Sequence, residues 1–466
     1  MAQVTDSRET YKILDLSLRI GEILLSSGAG AADVTVTVMA ICHHFGRRNP
    51  DVDVTFTLLR MSYQDDPDEL PVLLTRNVTQ RDIDYDDLTR VHELVQDLLH
   101  DRVTLEEGRA KVARIQSTGH YLPRWAVTLG SGVVNGAIAL LLDAGVLVTA
   151  VATLAGILIT LMTRWMTTNR WPMFYQQVGG GLLATMMTIG VAALGLDVSS
   201  SLVITSSIIL LLSGIGFMGA IQDALSGFYI TAGARTIEAM LATAGLIAGV
   251  TAGLALAPAL GVRLMAIRPG ESGLSDSVPK VLIGAIVAAS VFALTCYAPL
   301  RAVPAVAMTT VLGQLVFLAV LAPSESAPWS AACAAVVVGV VSYSIAGRVR
   351  VPPLVVVVPA VMPMLPGLAI YRGLSQMSSG LTIGILQLSA AAATTIALAA
   401  GVILGETIAQ PVKRNARRLE GRLAGPRMAG VLHGELGRRQ RRQVRKAERA
   451  EEARQEAGPE GRAAGP

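Results

Sequence analysis

The chain has 466 residues, of which 52% are hydrophobic and 16% charged, with a formal net charge of +4 and a mean hydropathy of +0.51. These values exclude an ordinary water-soluble globule, and the three cysteines, none in a CxxC pair, argue against a disulfide framework or a zinc site. The apolar residues concentrate between Trp125 and Ala409; a helical run of about 20 apolar residues crosses a bilayer, so only this middle region is expected to lie in the membrane.

Residues 1–120 carry charges every few positions and are expected to form a soluble α+β domain on the cytoplasmic side. The polar start, Met1 to Thr10, has no basic patch followed by an apolar core, so no signal peptide is read there. Apolar residues from Ile13 to Leu25 recur at helical spacing opposite Asp15, Arg19 and Glu22. Gly28 and Gly30 end that helix, and a second is expected from Ala32-Asp33 to Phe45. Asp51 to Arg60 alternates as a strand does, Val72 to Val78 reads as its partner, and Asp65-Asp66-Pro67-Asp68 reads as the turn between them. Helices are expected from Tyr85 to His100 and from Leu105 to Gln116. His43-His44 with Asp65, Asp66, Asp68 and Glu69 is not read as a metal site, because adjacent helical histidines face different ways and acids around a proline suit a solvated turn. Asp82, Asp84, Asp86 and Asp87 stand where a helix N-terminus favours negative charge.

Gly214 and Gly367, each near the end of a long apolar run, are 153 residues apart, and each run leads to a Ser-Gly pair, Ser226-Gly227 and Ser379-Gly380. The same offset lays the apolar runs at roughly 125–143, 145–163, 177–195 and 202–222 onto those at roughly 278–296, 301–321, 329–346 and 354–372. A fifth run follows each set, near 236–258 and 382–408. The expected fold class is therefore an α-helical polytopic membrane protein with ten transmembrane helices. The expected organisation is a five-helix repeat over 121–258, a connecting loop over 259–280, a second repeat over 281–410 and a basic tail over 411–466. An odd number of spans makes the repeats inverted, an architecture of secondary transporters.

Arg164, Arg170, Arg235, Arg301, Arg348 and Arg350 follow even-numbered spans, on the same side as Lys413 and Arg414 of the tail, so both termini are expected in the cytoplasm of a plasma (inner) membrane protein. The connecting loop, with Arg263, Arg268, Lys280, Glu271 and Asp276, is then outside, as is Ser379-Gly380, while Ser226-Gly227 is inside. A basic helix is expected in the tail from Arg438 to Arg454. It suits anionic lipids better than nucleic acid, since it lacks aromatic residues for stacking.

Ionisable groups at membrane depth are candidates for function. Glu238 stands three residues after Arg235 and is expected to pair with it; Asp223 lies across a short connection from both. These three are the candidate proton-coupling residues, with Glu238 first because a buried carboxyl has a raised pKa. Asp143 is expected in an exposed turn and Glu406 at an exposed helix end. Pro359, Pro363 and Pro366 interrupt span nine, and Gly214 with Gly216 loosens span four, leaving backbone groups free at corresponding places. Ser213, Gly214, Gly216, Pro366, Gly367, Tyr371, Arg372, Asn135 and Gln387 are thus the candidate substrate-binding residues, although Asn135 and Gln387 equally suit helix-to-helix hydrogen bonding. HExxH, GxGD and P-loop motifs are absent, so the reading is a transporter with no catalytic residue, metal or cofactor. A membrane-anchored ligand sensor is the alternative.

Asp15-Leu16-Ser17-Leu18-Arg19-Ile20-Gly21-Glu22-Ile23-Leu24-Leu25-Ser26-Ser27-Gly28-Ala29, then Asp51-Val52-Asp53-Val54, the ten spans and Leu365-Pro366-Gly367-Leu368-Ala369-Ile370-Tyr371-Arg372-Gly373 together resemble the threonine/serine exporter family over about residues 10–410. The resemblance implies efflux of L-threonine and L-serine driven by the proton motive force, with protons and small amino acids as partners; export of another small metabolite and oligomerisation stay open. The family's Pro-Gly and Asn-x-x-Arg-Asp in span four are replaced by Ser213-Gly214 and Ala220-Ile221-Gln222-Asp223, which keeps only the Gly and the Asp. Arg235 and Glu238 match the family's Arg-x-x-Glu.

Overall fold

The structure, a computed structural model, describes residues 2–48, 50–65, 70–78, 81–196, 199–211, 214–262, 277–376 and 381–420. The expectations for residues 66–69, Ser213, the loop 263–276, Ser379-Gly380 and the tail beyond Glu420 lie outside the described residues, as do the side chains of Tyr371 and Arg372.

The N-terminal unit has helices α1 (Ala2–Ser26) and α2 (Ala31–His44), strands β1 (Asp51–Val54), β2 (Leu58–Tyr63) and β3 (Val72–Asn77), then α3 (Tyr85–Leu99) and α4 (Leu105–Ser117). Helix α1 buries Ile13, Leu14, Leu16, Ile20 and Leu25 as its spacing requires, and it ends at Gly28, whose φ of +96° suits glycine. Asp15, expected on the polar face, is instead buried, 2.8 Å from Arg76 Nη2 and 3.1 Å from Arg19 Nε. The expected long strand from Asp51 to Arg60 is a tight hairpin. β1 and β2 pair antiparallel with Val54 opposite Leu59, and the chain reverses at Thr55, whose N–H donates to the Leu58 carbonyl. β3 completes an antiparallel meander.

The membrane part comprises α5 (Arg124–Leu141), α6 (Val146–Thr168), α7 (Met173–Ala193), α8 (Ser200–Ile208), α9 (Gly214–Leu225) and α10 (Tyr229–Ala259), then α11 (Val278–Thr295), α12 (Val303–Ser324), α13 (Ala327–Val349), α14 (Leu354–Val361), α15 (Gly367–Gln376) and α16 (Leu381–Glu420). Among the described residues, helices α5, α6, α10, α11, α13, the stretch Leu300–Ser324 and the stretch Thr382–Gln410 are the 7 that are long and apolar enough to cross a membrane. Their outer faces leave large apolar side chains such as Leu154, Leu161, Ile283 and Leu404 exposed, a surface suited to lipid. The run expected at 177–195 lies mostly in α7. Those at 202–222 and 354–372 are each two short helices, broken between α8 and α9 and between α14 and α15; in the second gap Met362–Met364 forms a 3₁₀ turn.

Each helix of the first set recurs about 153 residues later, and Gly214 and Gly367, which open α9 and α15, are related by that offset. The packing recurs as well. Helix α7 lies on α10 as α13 lies on α16, and α9 also reaches α16 as α15 reaches α10. In both long pairs glycine lets the backbones meet: a Cβ on Gly249 would stand 2.0 Å from the Val178 carbonyl oxygen, and one on Gly405 2.2 Å from that of Val336. The corresponding helices α5 and α11 run antiparallel. Tyr121, just before α5, donates to the Ala298 carbonyl beyond the end of α11 (2.6 Å), whereas Asp143, after α5, pairs with Lys280 at the start of α11 (2.7 Å). As expected, Asp143 is exposed in a turn.

Candidate functional site

Where α8 stops, its last carbonyls have no helical partners. Asn135 of α5, 2% exposed, donates its Nδ2 to the Ser207 carbonyl (3.3 Å). Gly156 of α6 makes room for it, since a Cβ there would lie 2.3 Å from Asn135 Nδ2. Gly214 then opens α9 against Leu365, where a Cβ added to the glycine would stand 3.4 Å from Leu365 Cβ, so the two breaks meet. Ile204 and Ile208 of α8 pack with Ile370 of α15 and Ala391 of α16; Met218 of α9 packs with Val357, Val361 and Met364. Short helices from each half are thereby embedded in the other. The surroundings are apolar but contain buried oxygens without a hydrogen-bond partner, Asn135 Oδ1 and Thr205 Oγ1 in the first half and Thr309 Oγ1 and Gln314 Oε1 in the second.

Of the candidate substrate residues, the structure brings Gly214, Pro366, Gly367 and Asn135 to the paired breaks. Gly216 is exposed within α9, two residues past the break. Gln387 is half-buried on α16, beside Leu388, which packs on Gly373 of α15. Glu406, expected at an exposed helix end, is 4% exposed, because Gly339 of α13 lets α16 come close enough to cover it.

The far end of α9 carries the charges. Asp223 is 2% exposed; its Oδ2 is 2.9 Å from Arg235 Nη1, an ion pair without hydrogen-bond alignment, and its Oδ1 accepts the Ala31 N–H at the start of α2 (3.0 Å). A carboxylate is favoured at a helix N-terminus. Arg235 Nη2 donates to the Ala29 carbonyl (3.3 Å), and Thr231 donates to that of Val54 (3.2 Å). The expectation that Glu238 is buried and pairs with Arg235 is therefore corrected. Glu238 is exposed, and the turn at Ser226-Gly227, closed by Gly227 at φ +90°, brings Asp223 back onto Arg235.

The loop before α3 completes this junction. Asp82 and Asp84 donate their N–H groups to Ser26 and Ser27 at the end of α1, which places Arg81 beside the same turn, its guanidinium 4.1 Å from the centre of the Phe56 ring. Burial first, and then the charge of Arg235, push its pKa down to about 10. Sequence reasoning missed Arg81; its one signal was a cation leading into the acids at 82, 84, 86 and 87.

A second contact reaches the α11–α12 turn. Asp84 caps α3 by accepting from the N–H groups of Asp86 and Asp87, and its other oxygen meets His120, whose ring stacks on Tyr297 at 3.9 Å. Tyr85 donates its N–H to the Cys296 carbonyl (2.8 Å). Ligand atoms of Asp84, Asp87 and His120 lie within 4.8 Å of one another. Asp84 is already engaged by the helix cap and the histidine, so the cluster acts as a pin between the unit and the turn. Burial, and next the charge of Asp84, raise Asp87 to about 6.

A family described as "Putative threonine/serine exporter" matches residues 15–257, which joins the N-terminal unit to the first helix set, and one described as "Threonine/Serine exporter, ThrE" matches residues 281–408. The chain belongs to the threonine/serine exporter family. It is 31% identical over 421 residues to a probable threonine/serine exporter of Mycobacterium tuberculosis (strain ATCC 25618 / H37Rv), covering 89% of this chain and 79% of that one. It is also 31% identical over 424 residues to a threonine/serine exporter of Corynebacterium glutamicum, covering 89% and 86%. No solved structure matches it. With 7 helices of membrane-crossing length among its described residues, this member of an exporter family is a multi-pass membrane protein.

Proposed function

We propose that the protein exports L-threonine and L-serine from the cytoplasm as a proton-coupled secondary transporter, with the amino acid held where the two broken spans meet. The contact of Gly214 with Leu365 carries this reading, since it joins the two places where backbone donors and acceptors are released inside a membrane bundle. The antiparallel course of α5 and α11, which correspond by the 153-residue offset, supports inverted five-span repeats, with α8–α9 and α14–α15 as the fourth and ninth spans. The N-terminal unit and both termini then lie in the cytoplasm, and the basic tail faces anionic lipid. Asn135 and the free ends of α8 and α9 are suited to a zwitterion's ammonium and carboxylate. Asp223, buried where Glu238 is not, is the proton-linked carboxyl.

Counterflow in proteoliposomes across a panel of amino acids tests the substrate, with threonine and serine expected to exchange fastest. Asp223→Asn is expected to remove the dependence of flux on a pH gradient; retained dependence would sink that assignment. The docking of the N-terminal unit onto the α9–α10 turn favours one second reading, a membrane-anchored sensor. Ligand binding to the full-length protein without any flux would be its signature.

A further inference from the structure

We propose that the Nε–Nη2 edge of Arg81 is a binding site for the carboxylate of a small amino acid, with Glu238 meeting its ammonium, so that the junction of the N-terminal unit with α9 and α10 loads substrate before it reaches the breaks. The inference deepens the exporter reading and rests on it for the direction of movement.

The Arg81 guanidinium lies over the Phe56 ring, which holds it in place. Nε and Nη2 lie on one edge of the guanidinium plane and form the two-pronged donor that matches a carboxylate. Both atoms are buried and have no hydrogen-bond partner. Two other arginines of this unit and turn have partners for their guanidinium groups: Arg76 in Asp15 and Glu22, and Arg235 in Asp223 and the Ala29 carbonyl. Asp223 does not serve Arg81, because its oxygens face Ala31 and Arg235. A buried donor left without an acceptor is destabilising unless something supplies one. Arg81 is only partly buried overall, so this covered edge belongs to a residue that borders solvent.

The charges nearby select the ligand. Arg81 feels Arg235 as a like charge, and Glu238 and Asp223 as opposite charges. A simple anion at Arg81 is repelled by both carboxylates. An amino acid brings its own cation, which turns Glu238, exposed on α10, from an opponent into a partner. Asp223 is nine residues along α9 from Gly214, about 14 Å by helical rise, so this site is separate from the breaks and lies at one end of the path between them.

The test uses the full-length protein in proteoliposomes, with L-threonine presented on the side of the N-terminal unit. Arg81→Gln is expected to raise KM at least about tenfold, more than it changes the maximal rate, and Arg81→Lys, which keeps the charge but not the fork, to recover only part. In the unmodified protein, L-lactate and L-threoninol, each carrying one of the two charged ends, are expected to compete at least about tenfold more weakly than L-serine. An unchanged KM in Arg81→Gln overturns the proposal, and so does inorganic phosphate competing as well as serine, which would indicate a general anion site. If Arg81→Gln does not fold, Glu238→Gln supplies the same reading from an exposed position: a KM rise supports the site and an unchanged KM overturns it. Should the unmodified protein move neither threonine nor serine, the exporter reading fails by itself. L-Threonine binding by calorimetry, present in the unmodified protein and lost in Arg81→Lys, would then still support the site, and equal binding in both would overturn it.

Discussion

The two halves of the membrane part share a skeleton and differ in charge. Both break their fourth helix run, the first at Gly214 and the second through Pro363 and Pro366, and both bring a long helix pair into backbone contact through glycine, at Gly249 and Gly405. Yet Asp223, Arg235 and Glu238 of the first half correspond, by the offset of 153, to Gln376, Leu388 and Ala391 of the second. The geometry that frees backbone groups for a solute has been kept twice, while the ion pair has been kept once, at the end that grips the N-terminal unit. If the repeats are inverted, the Asp223–Arg235 pair marks one mouth of the path and has no counterpart at the equivalent positions of the other, which gives a duplicated scaffold a direction.

The sharpest way to break this comparison is to neutralise the charge in one half and its counterpart in the other. Asp223→Asn leaves Arg235 in a nearly buried site without its partner and is expected to lower stability by about 3 to 5 kcal/mol. Adding Arg235→Gln should recover part of that loss. Gln376→Ala, which removes an oxygen that is already unsatisfied, is expected to be close to neutral. Thermal unfolding of the purified protein in detergent reads all of these, and equal losses in the two halves would end the claim of asymmetry. The shared skeleton predicts the opposite pattern. Gly249→Ala and Gly405→Ala each force a methyl group into a facing carbonyl, and each is expected to cost about 1 to 3 kcal/mol or more. Tolerance at one site alone would mean that the helix pairs are not packing equivalents.

The helix order and the placement of the breaks were legible in the sequence, because apolar runs of membrane length and interruptions by Gly and Pro are local signals. The hairpin at Thr55 was not. Its alternation continues into the turn, and Thr55-Phe56-Thr57 contains no Gly, Pro or Asn to mark a reversal. Spacing favoured Glu238 as the partner of Arg235, since residues three apart share a helix face; the actual partner comes from across the Gly227 turn, which one-dimensional periodicity does not register. Glu406 failed for a related reason, because its cover depends on a glycine of another helix. Asn135 was found through its polarity in an apolar run, but its role at the end of α8 required the fold. Arg81 depends on three loops converging on one turn, and no local pattern encodes that.

At the break itself, the halves differ by one amide. Asn135 corresponds to Ala288 in the second half, so the amide that holds the α8 carbonyl has no counterpart at the equivalent position. Asn135→Ala is expected to lower stability by about 1 kcal/mol, the net value of one hydrogen bond, and to reduce threonine flux more than it reduces the melting temperature. Gly156→Ala should do the same indirectly by displacing the amide. Loss of stability without any change in flux would assign Asn135 to helix packing alone.

The smallest effect separates the two places where the N-terminal unit is held. Its contact with the first half runs through Asp223, which accepts the Ala31 N–H, and Arg235, which donates to the Ala29 carbonyl; its contact with the second runs through Asp84, His120 and Tyr297, beside Asp87. Burial and the charge of Asp84 raise the Asp87 carboxyl to about 6, against about 3.9 in an unfolded chain. Between these values the folded protein holds a proton that the unfolded chain has released. The Asp87 contribution is therefore full below about pH 4 and is lost as pH rises through about 6. Solvent screening at this half-exposed group keeps the effect small. Melting temperatures across that window should fall with rising pH in the unmodified protein relative to Asp87→Asn, and the difference should stop changing above about pH 7. Asp223→Asn should leave this Asp87-dependent slope in place. If the slope survives Asp87→Asn and disappears in Asp223→Asn, the titrating contact belongs to the first half, and the division of labour between the two points of attachment is reversed.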